Sequence, residues 1–590
     1  MQRFGTGRWD LSCLVKNPNS AQFAQKIQNI EKNVKQFEKI KPSLNPNIQS
    51  KKFQNILHNL EEISEKISTV AGYAHLSYAA NTQSDEATSL VTKMTKLAAD
   101  IENRTLFFDL WWKKKIDEKN AKRLIKDAGQ LTNYLRFKRL MAKYSLSEPE
   151  EKIINTLDVT GISALVKLYD KITNAFEYVV NIDGKKRRLT REELASLVRS
   201  SKPKTREAAY KTLLGKYFDN KGVLGEIYQN IVLNWKDEGI EIRGFSSPIS
   251  IRNIGNDVDD KTIDSLLDVC RKNASVFQKF FLQKAKLLGL KKLRRYDLYA
   301  PVTSKIKEKN YSYDKSVRLV LDSLEKFSPK LADFAKDVFV KRHIDSEIRL
   351  GKRDGAFCST IAPKIAPYVL VNFTGKIRDV FTLAHELGHA VHSKAASDKS
   401  ILVLEAPLPL AETASTFSEL LLYDNLSNAI SDEEKRLLLA EKIDDLYATI
   451  LRQTFFTLFE TKIHKQISEG TIVDEISKTY LHNLKEQFGS SVSLTDDFSI
   501  EWSCIPHFYH TPFYCYAYSF GNLLALSLFQ RYKIEGKDFV PIYLKILGAG
   551  GSQKPESLLA EYGLDISSER FWQDGLDYVK NQVKTLASLN

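Results

Sequence analysis

The chain of 590 residues contains no apolar run approaching the roughly 18 residues that a membrane-crossing helix needs. A bilayer span is therefore not expected. The stretch from Met1 to Trp9 lacks the hydrophobic centre of a signal peptide, which argues against export by that route and for a cytoplasmic protein. Cysteine is scarce: Cys13, Cys270, Cys358, Cys504 and Cys515 are odd in number and widely scattered, which predicts reduced thiols rather than a disulfide framework. None has the spacing of a structural zinc finger. No internal repeat or low-complexity linker interrupts the chain. Glycine clusters at Gly548-Ala549-Gly550-Gly551-Ser552, but the Lys-Ser/Thr of a phosphate loop is missing, so the segment reads as a hinge or tight turn. No nucleotide is implied.

What is present suits a soluble enzyme. With 43% hydrophobic and 27% charged residues the chain can bury a large core, and its length allows several domains. The formal net charge of +14 invites a nucleic-acid reading, with patches at Lys113 to Lys115, Lys185 to Arg188 and Lys291 to Arg295. The second patch follows Asp183-Gly184, a hairpin turn signal, and precedes Thr190-Arg191-Glu192-Glu193, a capping box, so it reads as an exposed strand. A general attraction for acidic surfaces or peptides accounts for the charge, and no nucleic-acid partner is expected.

Residues from about 20 to 160 carry the pattern of long amphipathic helices, with Leu57, Leu60, Ile63 and Ile67 forming one stripe. A hairpin from about Tyr178 to Leu189 interrupts them, and helical patterning resumes after about Ser200. Tyr368-Val369-Leu370-Val371-Asn372-Phe373 is short and β-rich, which predicts a strand. It could be an edge that pairs with an extended peptide or an ordinary strand within a sheet. The expected architecture is mainly α with one small sheet, divided into an N-terminal helical domain with its hairpin (1–195) and a catalytic domain (196–590).

The most informative segment is His385-Glu386-Leu387-Gly388-His389, preceded by apolar Val380 to Ala384. An α-helix turns about 100° per residue, so the two imidazoles fall within roughly 40° of each other, one turn apart, and can grip one metal ion. Glu386 points about 60° away from His389, too far round to ligate easily but close enough to act as general base on a water. Ala384, Leu387 and Val391 form the packing face, and Asp379 is placed as a helix N-cap before Val380. With 10 His in the chain, chance produces such a pattern in roughly one chain in a hundred. His392 lies on the same face but about 10 Å along the axis, and reads as a cleft-lining or hydrogen-bonded histidine.

A catalytic zinc needs three protein ligands and an open position. Downstream, Pro409 suits a helix start, and Glu412 heads a polar stripe with Ser415, Thr416, Glu419 and Tyr423. Glu412 is the favoured third ligand over Glu405, which sits in loop among Leu404, Pro407 and Pro409. Glu419, two turns on, could instead hydrogen-bond a ligand histidine. Further along, His507 and His510 accompany four phenols, Tyr509, Tyr514, Tyr516 and Tyr518, with Phe508, Phe513 and Phe520 interleaved. These are either hydrogen-bond donors for an oxyanion or parts of an aromatic core.

Several stretches, taken in order, carry a resemblance: Trp9 to Ser12, Gly351 to Cys358, Pro367 to Gly375, the His385 to His389 helix, Ala411 to Thr416, and Ile505 to Tyr516. Together the chain resembles oligoendopeptidase F and its relatives, with thimet oligopeptidase a more distant cousin. The resemblance spans nearly the whole chain and implies a multi-helix oligopeptidase fold, with the small sheet beside the zinc-binding helix and helical lobes closing over a deep substrate channel. It implies one zinc ion per chain held by His385, His389 and Glu412, with Glu386 as base, acting on internal bonds of short, unfolded oligopeptides. It also assigns His507, Tyr509 and Tyr516 to the substrate carbonyl, facing the zinc across the cleft, although spacing does not rank them against Tyr514 or His510. A metallocarboxypeptidase or other exopeptidase with the same zinc site is the alternative.

Overall fold

The helical periodicity of the sequence is realised over most of its length. In the computed structural model, which describes residues 3–302 and 309–589, helices account for 71% of the structure and the sheets are small. The chain gathers into two compact units, each assembled from separated stretches: Met1–Lys143, Glu308–Asn428 and Arg531–Leu564 in the first, and Tyr144–Lys307, Ala429–Gln530 and Asp565–Asn590 in the second. The division expected at residue 195 falls inside the second of them.

In the first unit, Ala21–Glu38, Ser50–Ala80 and Asp85–Leu110 form three long helices. Phe37, Phe53, Phe108, Trp111 and Trp112 close their shared core. Leu57 and Ile63 of the expected stripe are buried there, and Leu60 and Ile67 pack partly against it. A three-stranded sheet follows, in which Tyr368–Leu370 is the central strand, parallel to Ile344–Asp345 and antiparallel to Phe357–Ser359. Tyr368–Leu370 is thus an ordinary interior strand, and buried throughout. Its pairing on both sides consumes the hydrogen-bonding groups that a docking peptide would use. The sheet packs against the helix Ile377–Ala395, which carries the His-Glu-Leu-Gly-His segment.

That helix begins earlier than Asp379 had implied. Ile377 is its first residue and Asp379 its third, and the Asp379 carboxylate reaches back to accept from the N–H groups of Thr374 (2.7 Å) and Lys376 (3.2 Å) and from the Thr374 hydroxyl (2.6 Å). With Lys376 at the cap, no short polar side chain stands at the entry, so a carboxylate inside the first turn closes it instead. The segment after Pro407 also departs from one continuous helix. Leu408–Ala411 is a single helical turn, Glu412 (φ −86°, ψ 0°) is a break, and Thr413–Ser427 is a separate helix.

In the second unit the predicted hairpin pairs Tyr178–Ile182 with Lys185–Leu189. Asp183 and Gly184 both have positive φ (51° and 83°), as the tight hairpin turn requires. Lys185 to Arg188 lie exposed on the second strand, and Thr190 and Glu193 cap the next helix reciprocally. The elements that matter below are Arg452–Ser468, the five-residue helix Pro506–His510 and the long helix beginning at Tyr516. All five cysteines are free. Among the described residues no helix is long and apolar enough to cross a membrane.

Candidate metal centre and active site

Helix Ile377–Ala395 turns Val380, Leu383, Ala384, Leu387 and Val391 into the core, which fixes where His385 and His389 point. The helix Thr413–Ser427 crosses it at Gly388. A methyl group there would stand 2.5 Å from the Ala414 carbonyl, 2.6 Å from the Ser415 Cα and 2.8 Å from the Ser418 hydroxyl. Only hydrogen fits in that space. The glycine therefore permits the approach that brings the start of the second helix, and Glu412 just before it, beside the two histidines. The sequence reading gave Gly388 no role, although a glycine inside an apolar helix is a sign of close backbone approach.

The Glu412 Oε2 lies 3.3 Å from His385 Nε2 and 3.5 Å from His389 Nε2. Two ligand atoms each about 2.0–2.1 Å from a tetrahedral ion stand roughly 3.4 Å apart, so the spacing suits an ion at their centre. Among the described residues, His385, His389 and Glu412 are the one set of three His, Cys, Asp or Glu side chains whose ligand atoms all lie within 4.8 Å of one another. Glu405 is not in that set. The outer contacts direct the lone pairs inward. His385 Nδ1 meets Glu419 Oε1 at 2.8 Å, which leaves Nε2 for a metal, and the Ser415 hydroxyl donates to Glu412 Oε2 at 2.7 Å. The chemistry of this donor set fits zinc.

Burial and charge divide the protons unequally. Burial opposes charge on His385, but the Glu412 and Glu419 carboxylates outweigh it and raise the imidazole to about 10. Burial also works against the Glu412 carboxylate, yet the hydrogen bond from His385, the charge of both imidazoles and the Ser415 hydroxyl hold it at about 2. His389 is pressed below its ordinary value, chiefly by burial. Without metal the triad thus carries one proton, on His385. Glu386, 6% exposed, is pushed up by burial to about 7, with the His385 charge pulling the other way. His392 is buried and pressed to about 4 by burial and by His389, in keeping with a packed histidine.

In the second unit, His507 and Tyr514 stack with ring planes 5° apart and centroids 5.7 Å apart, and the Tyr518 hydroxyl lies 3.3 Å from His507 Nε2. All three are half-buried. Tyr509 and Tyr516 are buried outright. The Tyr509 hydroxyl donates to the Leu224 carbonyl (3.3 Å) while its ring stacks on Tyr169, and the Tyr516 hydroxyl accepts from Asn256 (2.8 Å). His510 is exposed and pairs with Asp170 at 2.7 Å.

A carboxyl near neutrality, one residue along a helix from His385 and three from His389, beside a third carboxylate, is an arrangement that could hold a metal ion and move a proton on a water. Comparison with known proteins agrees. The model of peptidase family M3 matches residues 196–578, and that of the oligopeptidase F N-terminal region matches residues 114–178. An oligoendopeptidase F homolog of Borreliella burgdorferi is 29% identical over 99% of this chain and 98% of its own. Among solved structures, a Chlamydophila abortus protein superposes with a TM-score of 0.87 at 24% identity, covering 99% of this chain and 98% of that one. The oligoendopeptidase F of Enterococcus faecium superposes with a TM-score of 0.71 at 20% identity, covering 96% and 98%. The chain belongs to peptidase family M3, within its oligoendopeptidase F group, and is a peptidase of oligopeptides.

Two outcomes follow from this geometry. At pH 8 the metal must displace the His385 proton while Glu412 and His389 have none to give, so loading the metal-free protein should release about one proton per ion from the ligands, in addition to any lost by a metal-bound water. Titration calorimetry in buffers of different ionisation enthalpy reads that number directly. Gly388→Ala should push the two helices apart, cost about 1–3 kcal/mol of stability by overpacking and weaken metal binding roughly tenfold or more. Competition with a chelator measures the second effect; unchanged affinity would show that the helix crossing does not set the ligand spacing.

Proposed function

We propose that the protein is a zinc-dependent endopeptidase that cuts internal bonds of short, unfolded oligopeptides, with His385, His389 and Glu412 as ligands of one zinc ion and Glu386 as general base. The observation that carries this reading is the ligand triad at tetrahedral spacing with a buried carboxyl one residue from His385. The names of the relatives, oligoendopeptidases F, support the substrate class. Zinc bound there would supply Lewis acidity toward a water and the scissile carbonyl. Glu386 takes the proton of that water on its carboxylate and delivers it to the leaving amine. A carboxyl near 7 does both at neutral pH, because it is neither too weak a base to accept the proton nor too weak an acid to return it. His385 keeps Nε2 directed inward through its bond to Glu419, and Ser415 holds the Glu412 carboxylate in place.

We assign contact with the substrate carbonyl to His507 and to the phenols of Tyr514 and Tyr518 grouped about it. Their partial exposure supports the assignment. His507 is lowered below its ordinary value by burial and by the charges of His510 and Arg452, so at neutral pH it is an uncharged donor. Tyr509 and Tyr516 are buried with their hydroxyls bonded to the Leu224 carbonyl and to Asn256, so the assignment passes to Tyr514 and Tyr518 in their place.

Glu386→Gln should keep one zinc per chain and lose roughly 10²–10⁴-fold in kcat/KM. Metal analysis beside hydrolysis of an internally quenched peptide checks both, and a zinc-replete variant with full activity refutes the mechanism. For the zinc-loaded protein, the base must be ionised, so kcat/KM should fall on the acid side as Glu386 gains a proton, at a pH below the value of about 7 of the metal-free carboxyl because the zinc charge favours the ionised form. A peptide blocked at both termini should be cut; failure on it, with cleavage of the free peptide, would identify an exopeptidase instead.

A further inference from the structure

The loop between the helix Pro506–His510 and the helix that begins at Tyr516 contains a conformation that its sequence does not favour. Phe513 has φ +58°, the left-handed region that glycine adopts freely and a bulky side chain rarely does. Its neighbour Tyr514 is the residue whose ring lies parallel to His507. The turn at Phe513 is therefore what swings the chain back so that Tyr514 meets His507. Something must hold it there.

Two buried or half-buried side chains grip the loop by its backbone. The Phe513 N–H donates to Glu460 Oε1 at 2.8 Å, and the preceding carbonyl, that of Pro512, accepts from Arg252 Nε at 3.1 Å. Glu460 comes from helix Arg452–Ser468 and is 1% exposed. Its second oxygen is buried without a protein hydrogen-bond partner. One turn further along the same helix, His464 is 3% exposed with neither ring nitrogen partnered, and its ring packs against Phe513 at 4.6 Å. A carboxyl and an imidazole buried in this way are costly to the fold. A leucine and a phenylalanine would fill the same space without that cost. What the carboxyl supplies and leucine cannot is an acceptor for the N–H of a residue in an unfavoured conformation.

We propose that Glu460 is a positioning residue for peptide hydrolysis, which fixes the left-handed turn at Phe513 and thereby sets Tyr514 and His507 in the arrangement that meets the substrate, with Arg252 holding the turn from its other side. This rests on the assignment of His507 and its phenols to the substrate carbonyl. Glu460 does not touch substrate. It acts through one backbone hydrogen bond, so an amide oxygen serves as well as a carboxylate oxygen.

The test is steady-state hydrolysis of an internally quenched peptide by the full chain loaded with zinc, comparing E460Q, E460L, H507A and the double variant E460L/H507A. The expected results are E460Q within about threefold of wild type in kcat/KM, E460L at least about thirtyfold lower, and the double variant close to H507A alone, because the two substitutions disable one arrangement. Zinc content should stay at one per chain in all four. A general loss of fold would instead make the effects of E460L and H507A multiply, and would not be rescued by glutamine. Either result overturns the proposal, as does an E460L enzyme of normal activity beside an impaired H507A. An H507A enzyme of normal activity overturns the underlying substrate assignment, and with it the proposal. If E460L cannot be obtained folded, R252Q carries the test: it should lower kcat/KM at least fivefold with zinc retained, and unchanged kinetics would overturn the inference.

Discussion

The contact on which the site depends is backbone against backbone, at Gly388, where two helices touch without a side chain between them. Gly388 lets helix Thr413–Ser427 come within reach of helix Ile377–Ala395, and a single methyl group would overlap the Ala414 carbonyl. Everything that makes the triad follows from that distance. Ser415 sits at the crossing and holds the Glu412 carboxylate; Glu419, one turn further on, reaches His385. The same closeness is unfavourable for the polypeptide taken alone, since glycine inside a helix costs about 1 kcal/mol relative to alanine. The packing of Leu387, Ala390 and Val391 against the core offsets that cost, and the ligand geometry is its result.

A second constraint is electrostatic. Three carboxylates, Glu386, Glu412 and Glu419, and two imidazoles are gathered in a partly desolvated space, and they cannot all carry charge there. The structure resolves the conflict by pairing. Glu412 takes a hydrogen bond from His385 and is held at about 2, while Glu386 has only the opposing pull of the His385 charge against its burial and rises to about 7. The proposed ligand Glu412 and the proposed base Glu386 are chemically alike, and their surroundings give them different proton affinities. Placing Glu386 next to His385 on the helix, but on a different face, is what separates the two environments.

How much of this could be read from the sequence depends on whether the information was local. The two histidines and Glu386 were legible because helical geometry alone fixes their relative directions, and the hairpin at Asp183-Gly184 because its turn chemistry is contained in two residues. The helix start was misread by three residues, since Asp379 caps from within the first turn and a cap at that position looks the same in sequence as one before it. Tyr368–Leu370 could not be ranked as edge or centre, because strand order is set by residues such as Phe357–Ser359 that precede it with no sequence mark of their pairing. Glu412 lay between these cases: its polar stripe was visible, but its approach to the histidines depends on Gly388, a tertiary contact that no periodicity encodes.

Phe513 lies at the far end of that scale. Glycine or asparagine at a left-handed position announces a turn, whereas phenylalanine conceals it, and the reason for phenylalanine becomes clear only with His464 packed beneath its ring. A glycine there would make the turn easy and leave it free to open. A phenylalanine makes it unfavourable and then locks it, with the ring anchored below and the N–H and neighbouring carbonyl held by Glu460 and Arg252. The order of this segment is thus obtained by strain opposed by specific bonds rather than by a conformation that is merely permitted. Such a loop has one well-defined arrangement, which the proposed role of His507 and its phenols as donors to the substrate requires.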